Sequence, residues 1–392
     1  MEGMKKTILY FYLHGQRERP LYNPFEYRFL EALCKNYEVV VAYFSRSRHY
    51  KNDPNLAPKC VRFIPVRDFP SMHLPTLMRW PFETITRSII VALIIRSLRP
   101  SVVFANWITR SSGLYCALSS FHPLVVAAWG SDILVEAKKS RVLRILGRFT
   151  VRVADAVIVD SIVKRKALLD LDCVPSKIHS FPWGIDLDKF RPKRLARTEQ
   201  EEHRSPGSRI VVSTRMHFPI YGVEYLIRAI PAVLSQMRGV TFLVAGDGPL
   251  REYHASLARK LGIQEHVRFP GAIPNDLMPD LLNGADVYVS TSLSDGASAS
   301  LMEALACGLP VIVTDIPGNK EWVRDGKNGF LVPVCDSEAL ARQVTRILRD
   351  EHLMSSMKKA NVKIARERAD WKRNSLMFQN CVSKLAATSK PS

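Results

Sequence analysis

Two carboxylates flank a turn that enters a helix in the second half of the chain. Asp295 lies on the small-residue turn 294–299, and Glu303 stands eight residues later inside a predicted helix. Such a turn presents free backbone N–H groups and the positive end of a helix dipole, a combination that binds anions. The sequence therefore predicts a phosphate site with a carboxylate on each side. The N–H groups that would form it lie near Ser298, Ala299, Ser300 and Leu301.

The elements that position these residues follow a pattern along the whole chain. Short apolar runs rich in β-branched residues alternate with segments of helical periodicity, which is typical of parallel sheets covered by helices. In the first half the predicted strands are residues 8–13, 39–44, 61–66, 102–105, 125–128 and 156–159. In the second half they are residues 209–213, 241–245, 266–269, 287–291 and 311–314, with helices at 223–237, 250–261, 300–307 and 337–349.

This alternation predicts an α/β protein with two doubly wound, Rossmann-like domains. A polar stretch at residues 194–208 interrupts it and is interpreted as a linker, so we assign residues 1–195 to the first domain and 196–369 to the second. The last helix, about 370–392, is expected to pack back on the first domain. Two such domains that face each other leave a cleft at the carboxyl ends of their strands, where ligands bind.

The composition is that of a folded globular protein. The chain has 392 residues, of which 47% are apolar and 24% charged, which excludes a disordered, collagenous or coiled-coil chain. The net charge of +19 suits an anionic partner. Residues 1–195 carry 31 basic and 16 acidic side chains, or +15, against +4 for the remainder. We therefore expect the anionic partner to meet the first domain.

Cysteines and apolar segments indicate the compartment. The seven cysteines show no C-x-x-C pair and no zinc spacing, so we expect reduced thiols and no disulfide. The N-terminus lacks the cleavage site of a signal peptide. The longest apolar stretch, residues 88–98, is shorter than the about 20 residues that span a bilayer. We expect a cytoplasmic protein.

The region around the two carboxylates resembles the retaining glycosyltransferases of family 4, which have the GT-B fold. The resemblance rests on an acidic residue, seven residues and then Glu, here Asp295 and Glu303, and it continues through residues 303–312. Further family-like segments are residues 246–251, 315–323 and 325–332, with loops 129–132 and 181–186 in the first half. It is close over residues 209–340 and looser before them.

The resemblance implies roles for individual residues. Glu303 would hold the ribose of the donor nucleotide, and Asp295, where the family usually has Glu, would lie beside the donor sugar. Arg215 matches an Arg that neutralises the donor diphosphate. The Lys that the family has just before a Gly is missing, and residues 216–221 stand there with one residue more than usual. Lys320 or the helix N-terminus would then supply the missing charge.

Structural alternatives stay open for these residues. Asp295 also fits a helix-capping carboxylate, Glu303 a solvated helical residue and Arg215 a surface arginine. Gly246 and Gly248 form a turn that either lies near the nucleotide base or is simply tight, because Gly-x-Gly alone lacks the rest of a dinucleotide fingerprint.

The first domain offers fewer candidates. On the loop 129–132 many relatives carry a His where this chain has Gly130, which leaves Asp132 as a sugar or acceptor contact, or as the N-cap of the next helix. The residues expected to line the cleft from this side are His14, Gly15, Trp129, Gly130 and Trp183. His14 ends the first strand, a place where a lone His also serves structure.

Neither a metal nor a resident cofactor is expected. The aspartate pairs 170/172 and 186/188 do not follow clear buried strands and are interpreted as surface groups. Residues 138–152 alternate basic and apolar side chains, as in an amphipathic helix on anionic lipid. A core-facing helix with a solvated basic face gives the same pattern.

The resemblance to family 4, together with these features, implies a retaining, metal-independent glycosyltransferase in cell-surface glycan synthesis. It would move a sugar from a nucleotide diphosphate sugar, a co-substrate, to a saccharide or lipid-linked acceptor, and would sit peripherally on the inner face of the membrane. A sugar-nucleotide epimerase is one alternative, with His14 and Asp132 as its only acid and base candidates in the first domain. A basic nucleic-acid-binding protein is the other, but the chain has no recognised module or interleaved aromatics, so no nucleic acid is expected.

Overall fold

The structure, a computed structural model, describes residues 6–12, 24–45, 58, 60–67, 76–193 and 208–388. The chain divides into two compact units, one of residues 1–181 and 373–392 and the other of residues 182–372. Each unit contains one sheet in which all the strand pairs described are parallel. The predicted class, an α/β protein with two doubly wound sheets, is therefore confirmed.

The first unit is built on seven strands. They are β1 (Thr7–Tyr12), β2 (Glu38–Ser45), β3 (Val61–Arg67), β4 (Val102–Asn106), β5 (Leu124–Ala127), β6 (Ala156–Val159) and β7 (Ile178–Ser180), in the order β3-β2-β1-β4-β5-β6-β7. The helices are α1 (Pro24–Cys34), α2 (Thr76–Leu98), α3 (Ser112–Leu118), α4 (Ala137–Lys139), α5 (Arg141–Val153) and α6 (Ile162–Leu169). Strands β4, β5 and β6 are buried along their whole length, as their continuous apolar sequences require.

The second unit is built on six strands. They are β8 (Arg209–Ser213), β9 (Val240–Val244), β10 (Val267–Arg268), β11 (Val287–Ser290), β12 (Val311–Thr314) and β13 (Gly329–Val332), in the order β10-β9-β8-β11-β12-β13. The helices are α7 (Val223–Leu234), α8 (Arg251–Lys260), α9 (Met278–Asn283), α10 (Ala299–Ala306), α11 (Pro317–Lys320), α12 (Ser337–Arg349) and α13 (Glu351–Arg368). The central pair β8 and β11 brings the loops that follow these strands to one edge of the sheet.

The last helix, α14 (Trp371–Thr388), packs on the first unit. The fully buried ring of Phe378 meets Phe29 edge-on with 4.6 Å between ring centroids, and meets Phe104 at 5.8 Å. The division between the units falls after residue 181, earlier than the linker at 194–208 suggested. The reason is that Phe190, ahead of that linker, is buried in one core cluster with Val212.

Two cysteines depart from the expectation of reduced thiols. Cys34 and Cys60 form a disulfide with their Cα atoms 6.0 Å apart, which joins the end of α1 to the residue before β3. The expectation that the chain has no disulfide is therefore wrong. The remaining cysteines are free thiols, Cys116, Cys173, Cys307 and Cys381 in buried positions and Cys335 at the surface.

We expect Phe378→Ala to lower the free energy of unfolding of the first unit by about 3–5 kcal/mol, because a buried ring is replaced by a cavity. Chemical denaturation followed by circular dichroism measures this change. Leu376→Ala on the same helix is the matched control, since Leu376 is exposed and should cost less than about 0.5 kcal/mol. Equal losses in the two variants would contradict the packing role of Phe378.

Candidate functional site

Arg215 and Asp295 form a buried ion pair at one edge of the second sheet. Arg215 follows β8 and Asp295 follows the neighbouring strand β11. Nη2 of Arg215 donates to Oδ2 of Asp295 at 2.6 Å, and the two side chains are 9% and 19% exposed. Burial lowers the pKa of the Arg215 guanidinium, but the Asp295 carboxylate together with Tyr288 and Tyr221 outweighs this effect, so the pKa is raised. Arg215 and Asp295, both predicted to lie at the donor site, therefore form an ion pair with each other.

The same guanidinium reaches the start of α10. Its Nη1 donates to the hydroxyl oxygens of Ser298 at 2.7 Å and Ser300 at 2.8 Å. Ser298 is the N-cap of α10 and accepts the N–H of Leu301 at 3.4 Å, so that this N–H is used by the cap rather than left for an anion. The N–H groups of Ala299 and Ser300 belong to the first turn of α10, and N–H groups in the first turn of a helix have no acceptor within that helix.

The ring of Tyr221 stacks on Arg215. Cζ of Arg215 lies 4.1 Å from the ring centroid, within the range of a cation–π interaction. Tyr221 ends a short 3-10 turn, and its carbonyl oxygen accepts the hydroxyl of Thr291 at 3.2 Å. Nothing in the sequence marks Tyr221 for this contact, because only the folded loop brings its ring to the guanidinium.

Glu303 lies one turn beyond Ser300 on α10, and residues three apart share a helix face. Tyr288 connects this face to the sheet, since its hydroxyl donates to the hydroxyl oxygen of Ser300 at 3.0 Å. Burial raises the pKa of the Tyr288 phenol, and the charge of Glu303 adds to the increase, whereas Arg215 opposes it. The cluster around Arg215 thus extends along α10 to Glu303.

Gly246 and Gly248 pack against the backbone of the Arg215 loop. Both have positive φ, 123° and 154°. A Cβ atom on Gly246 would lie 2.6 Å from the carbonyl oxygen of Arg215, and one on Gly248 would lie 2.7 Å from that of His217. Close packing therefore requires both glycines, which gives the turn a structural reason independent of any base contact.

A buried histidine pair, also missed from the sequence, holds the same loop. Nδ1 of His217 and Nδ1 of His254 are 2.8 Å apart, so one ring must donate and the other accept. Burial lowers the pKa of both rings, that of His254 to about 4. The loop after Arg215 is thus fastened to α8 by uncharged groups.

Lys320 forms an ion pair at the surface. Its Nζ lies 2.7 Å from Oδ1 of Asp315, and the two side chains are 55% and 42% exposed, so its expected role as a counter-charge for the donor stays a prediction. Its helix α11 nevertheless touches the site, since a Cβ on Gly318 would lie 2.5 Å from the carbonyl oxygen of Asp295.

Asp132, in the first unit, is fully buried. Its carboxylate accepts the N–H groups of Gly130 at 2.8 Å, Ile133 at 3.0 Å and Ile108 at 3.1 Å. Burial raises its pKa, while these bonds and the nearby Lys164 lower it. Asp132 therefore ties two loops of the first sheet together, and its expected contact with a sugar or acceptor stays a prediction.

The other first-domain candidates fall in different places. Trp129 is half-buried, and its buried Nε1 has no hydrogen-bond partner within the described ranges. Gly130 has φ 119°, which suits a glycine. Trp183 is buried and belongs to the second unit. His14 and Gly15 lie outside the described residues.

One aspartate of each of the pairs 170/172 and 186/188 has a basic partner. Asp172 pairs with Arg148 at 3.1 Å, and Asp188 pairs with Lys372 at 2.6 Å. In the part of the chain that the structure describes, no three His, Cys, Asp or Glu side chains form a group that could hold a metal ion.

Two family models match the chain in succession. The model of glycosyl transferase 4-like proteins matches residues 20–161, and that of glycosyl transferases group 1 matches residues 196–364. A GDP-mannose-dependent alpha-(1-6)-phosphatidylinositol monomannoside mannosyltransferase of Mycolicibacterium smegmatis is 31% identical over 50% of this chain and 53% of its own. A putative colanic acid biosynthesis glycosyltransferase of Salmonella typhimurium, WcaL, is 27% identical over 51% and 50%. The chain spans about half the length of these curated relatives.

Solved structures share the fold over nearly the whole chain. HepE of Anabaena in complex with UDP superimposes with a TM-score of 0.76 at 20% identity, covering 97% of this chain and 100% of that one. Sucrose-phosphate synthase of Thermosynechococcus elongatus gives a TM-score of 0.79 at 20% identity over 98% and 100%. With both family models and the parallel-sheet units in agreement, the chain belongs to the group 1 glycosyltransferases of family 4, with the GT-B fold.

Proposed function

We propose that this glycosyltransferase uses a nucleotide diphosphate sugar as donor and retains the configuration at the anomeric carbon. The observation that carries the proposal is the Arg215 cluster at the start of α10. It combines a guanidinium, two hydroxyl groups and a helix N-terminus, which is the chemistry that binds a diphosphate. The UDP and UDP-glucose complexes of HepE support a donor of this class.

The same cluster can assist departure of the diphosphate. Negative charge builds up on that group as its bond to the sugar breaks, and preorganised Arg215 and the α10 N-terminus would stabilise it. The departing diphosphate then takes the proton of the attacking acceptor on the same face of the sugar, so no protein nucleophile is required. Asp295 would lie beside the sugar and Glu303 would bind the ribose. Because Arg215 provides the cation, this mechanism needs no metal.

The environment of the Asp132 carboxylate favours sugar transfer over epimerisation. An epimerase needs an acid and a base at the hexose, and Asp132 is buried with its carboxylate bonded to backbone N–H groups. Such a group is poorly placed to exchange protons with a sugar.

A panel of nucleotide sugars with a glycolipid acceptor tests the proposal. Release of a nucleoside diphosphate and an NMR coupling that shows the donor's anomeric configuration in the product would support it. An epimerised donor without release would favour the epimerase, and an inverted product would overturn retention.

We also propose that the acceptor is lipid-linked and that the first unit docks on an anionic membrane. The outer face of α5 exposes Val142, Ile145 and Phe149 by 38% to 63%, at helical spacing. Basic residues surround them, namely Lys138, Lys139, Arg141, Arg144, Arg148 and Arg152. A core-facing helix with a merely solvated basic face leaves this outer apolar stripe unexplained. Relatives named for transfer to phosphatidylinositol mannoside support a lipid acceptor.

A second helix adds to the same side of the first sheet. Helix α2 packs on α3, and α3 packs on α5. The outer stripe of α2 consists of Phe82, Ile85, Ile89 and Leu93, which are 42% to 61% exposed. A symmetric dimer through this side would place the basic helix α5 against its own copy, whereas an anionic bilayer complements both helices. Among the described helices none is long and apolar enough to cross a membrane.

We expect Glu303→Ala to weaken nucleoside diphosphate binding about tenfold to a hundredfold, because a charge-assisted hydrogen bond to the ribose worth about 1.5–3 kcal/mol is lost. Isothermal calorimetry measures the affinity. Glu338→Ala, at an exposed site on α12, is the control and should bind like the wild type. Unchanged affinity in a folded Glu303→Ala protein would remove Glu303 from the ribose site.

We expect Arg215→Ala to lower kcat about a hundredfold to a thousandfold while nucleoside binding changes little, because its charge is needed most as the diphosphate departs. Arg215→Lys should retain more activity, since it keeps the charge but loses the planar donor geometry. Steady-state kinetics separate kcat from KM. An effect confined to KM would contradict this role.

We expect the wild-type protein to sediment with anionic vesicles and not with neutral ones, and to dissociate as salt rises, because each basic side chain near the surface contributes about 1 kcal/mol. Arg141→Glu with Arg144→Glu should abolish sedimentation and leave turnover of a soluble acceptor analogue unchanged. Arg342→Glu with Arg346→Glu on α12 is the matched charge control. Equal binding to neutral vesicles, or none at low salt, would overturn the membrane proposal.

A further inference from the structure

We propose that Tyr221 is a positioning residue for Arg215: its ring fixes the plane of the guanidinium, so that the positive charge stays beside the start of α10, where the diphosphate would bind. The inference rests on the proposed function, because the diphosphate is the ligand that Arg215 would meet there.

The contacts of Arg215 separate its faces from its edges. A guanidinium donates hydrogen bonds in its plane and offers its faces for stacking. Two edges are used by Ser298, Ser300 and Asp295, and a face is covered by the Tyr221 ring at 4.1 Å. The buried Nε has no hydrogen-bond partner among the residues that the structure describes. The ring therefore restricts rotation of the group without occupying a donor.

Tyr221 is itself anchored. Its carbonyl oxygen accepts a hydrogen bond from the hydroxyl of Thr291. The carbonyl oxygen of the preceding residue, Ile220, accepts one from the N–H of Leu293 at 2.8 Å. Gly222 follows with φ 54°, and a Cβ there would lie 2.6 Å from the carbonyl oxygen of Thr291. The segment that leaves β11 therefore carries Asp295 and also holds the loop that carries the stacking ring.

The composition of the loop makes the orientation of Arg215 matter more. Residues 216–221 contain no Lys or Arg, so Arg215 is the cation that this loop brings to the site. Asp295 competes with an incoming diphosphate for the same guanidinium. A guanidinium released from the ring would tilt out of the plane in which it bonds Ser298, Ser300 and Asp295, and less of its charge would act on the diphosphate.

Matched variants of Tyr221 test the inference. Tyr221→Phe keeps the ring and should retain kcat within about twofold. Tyr221→Leu keeps apolar bulk but loses the aromatic face, and we expect kcat to fall about tenfold. Its affinity for a nucleoside diphosphate should fall similarly, whereas its affinity for the nucleoside alone should not change. Tyr253→Leu, on the surface of α8, is the control and should match the wild type in every measurement.

Thermal unfolding verifies that each variant is folded, and Tyr221→Met replaces the Leu variant if that one is not. Wild-type kinetics and diphosphate affinity in the folded Leu or Met variant would overturn the inference alone. A Phe variant as impaired as the Leu variant would also overturn it, because the hydroxyl and not the ring would then matter. Wild-type protein that binds no nucleoside diphosphate would instead overturn the proposed function, and this inference with it.

Discussion

The second unit is organised around one buried positive charge. Removing a guanidinium from water costs several kcal/mol unless hydrogen-bond acceptors replace the lost hydration. Unpaired buried charges are rare for this reason. Around Arg215 these acceptors come from Asp295 and from two serines at the start of α10, and Tyr221 covers a face. Satisfying one charge therefore fixes the loops after β8 and β11 relative to α10 before any ligand arrives, which is the preorganisation that stabilising a leaving group requires.

Most elements could be predicted because buried parallel strands demand uninterrupted apolar runs. The helix expected at residues 337–349 has those limits in the structure, and β8 and β12 match their predicted strands. Two strands escaped prediction: β7 has three residues and shows no period, and β13 begins with a glycine, which is a weak strand former. Turn residues and apolar runs thus specify the order of elements better than they specify short edge strands.

At the site, residue types were predictable and partners were not. Arg215 and Asp295 are 80 positions apart, and the sequence indicates only that both loops reach one sheet edge. Asp132 shows the converse, since a carboxylate that binds backbone N–H groups and one that binds a sugar look alike in sequence. The bond between Cys34 and Cys60 depends on how close their Cα atoms come, which spacing along the chain does not reveal.

Donor binding does not explain the excess of basic side chains in the first unit. The first unit, residues 1–181 and 373–392, carries 30 basic and 14 acidic side chains, or +16 of the net +19. The Arg215 cluster, where we propose that the diphosphate binds, lies in the second unit and uses a single arginine. Donor binding therefore accounts for little of the basic excess. The apolar stripes of α2 and α5 are a separate observation on the same first unit, and α5 combines such a stripe with arginines. An anionic membrane has charged headgroups above an apolar interior, so it would explain both the basic charge and the exposed apolar stripes. A soluble anion would explain only the charge.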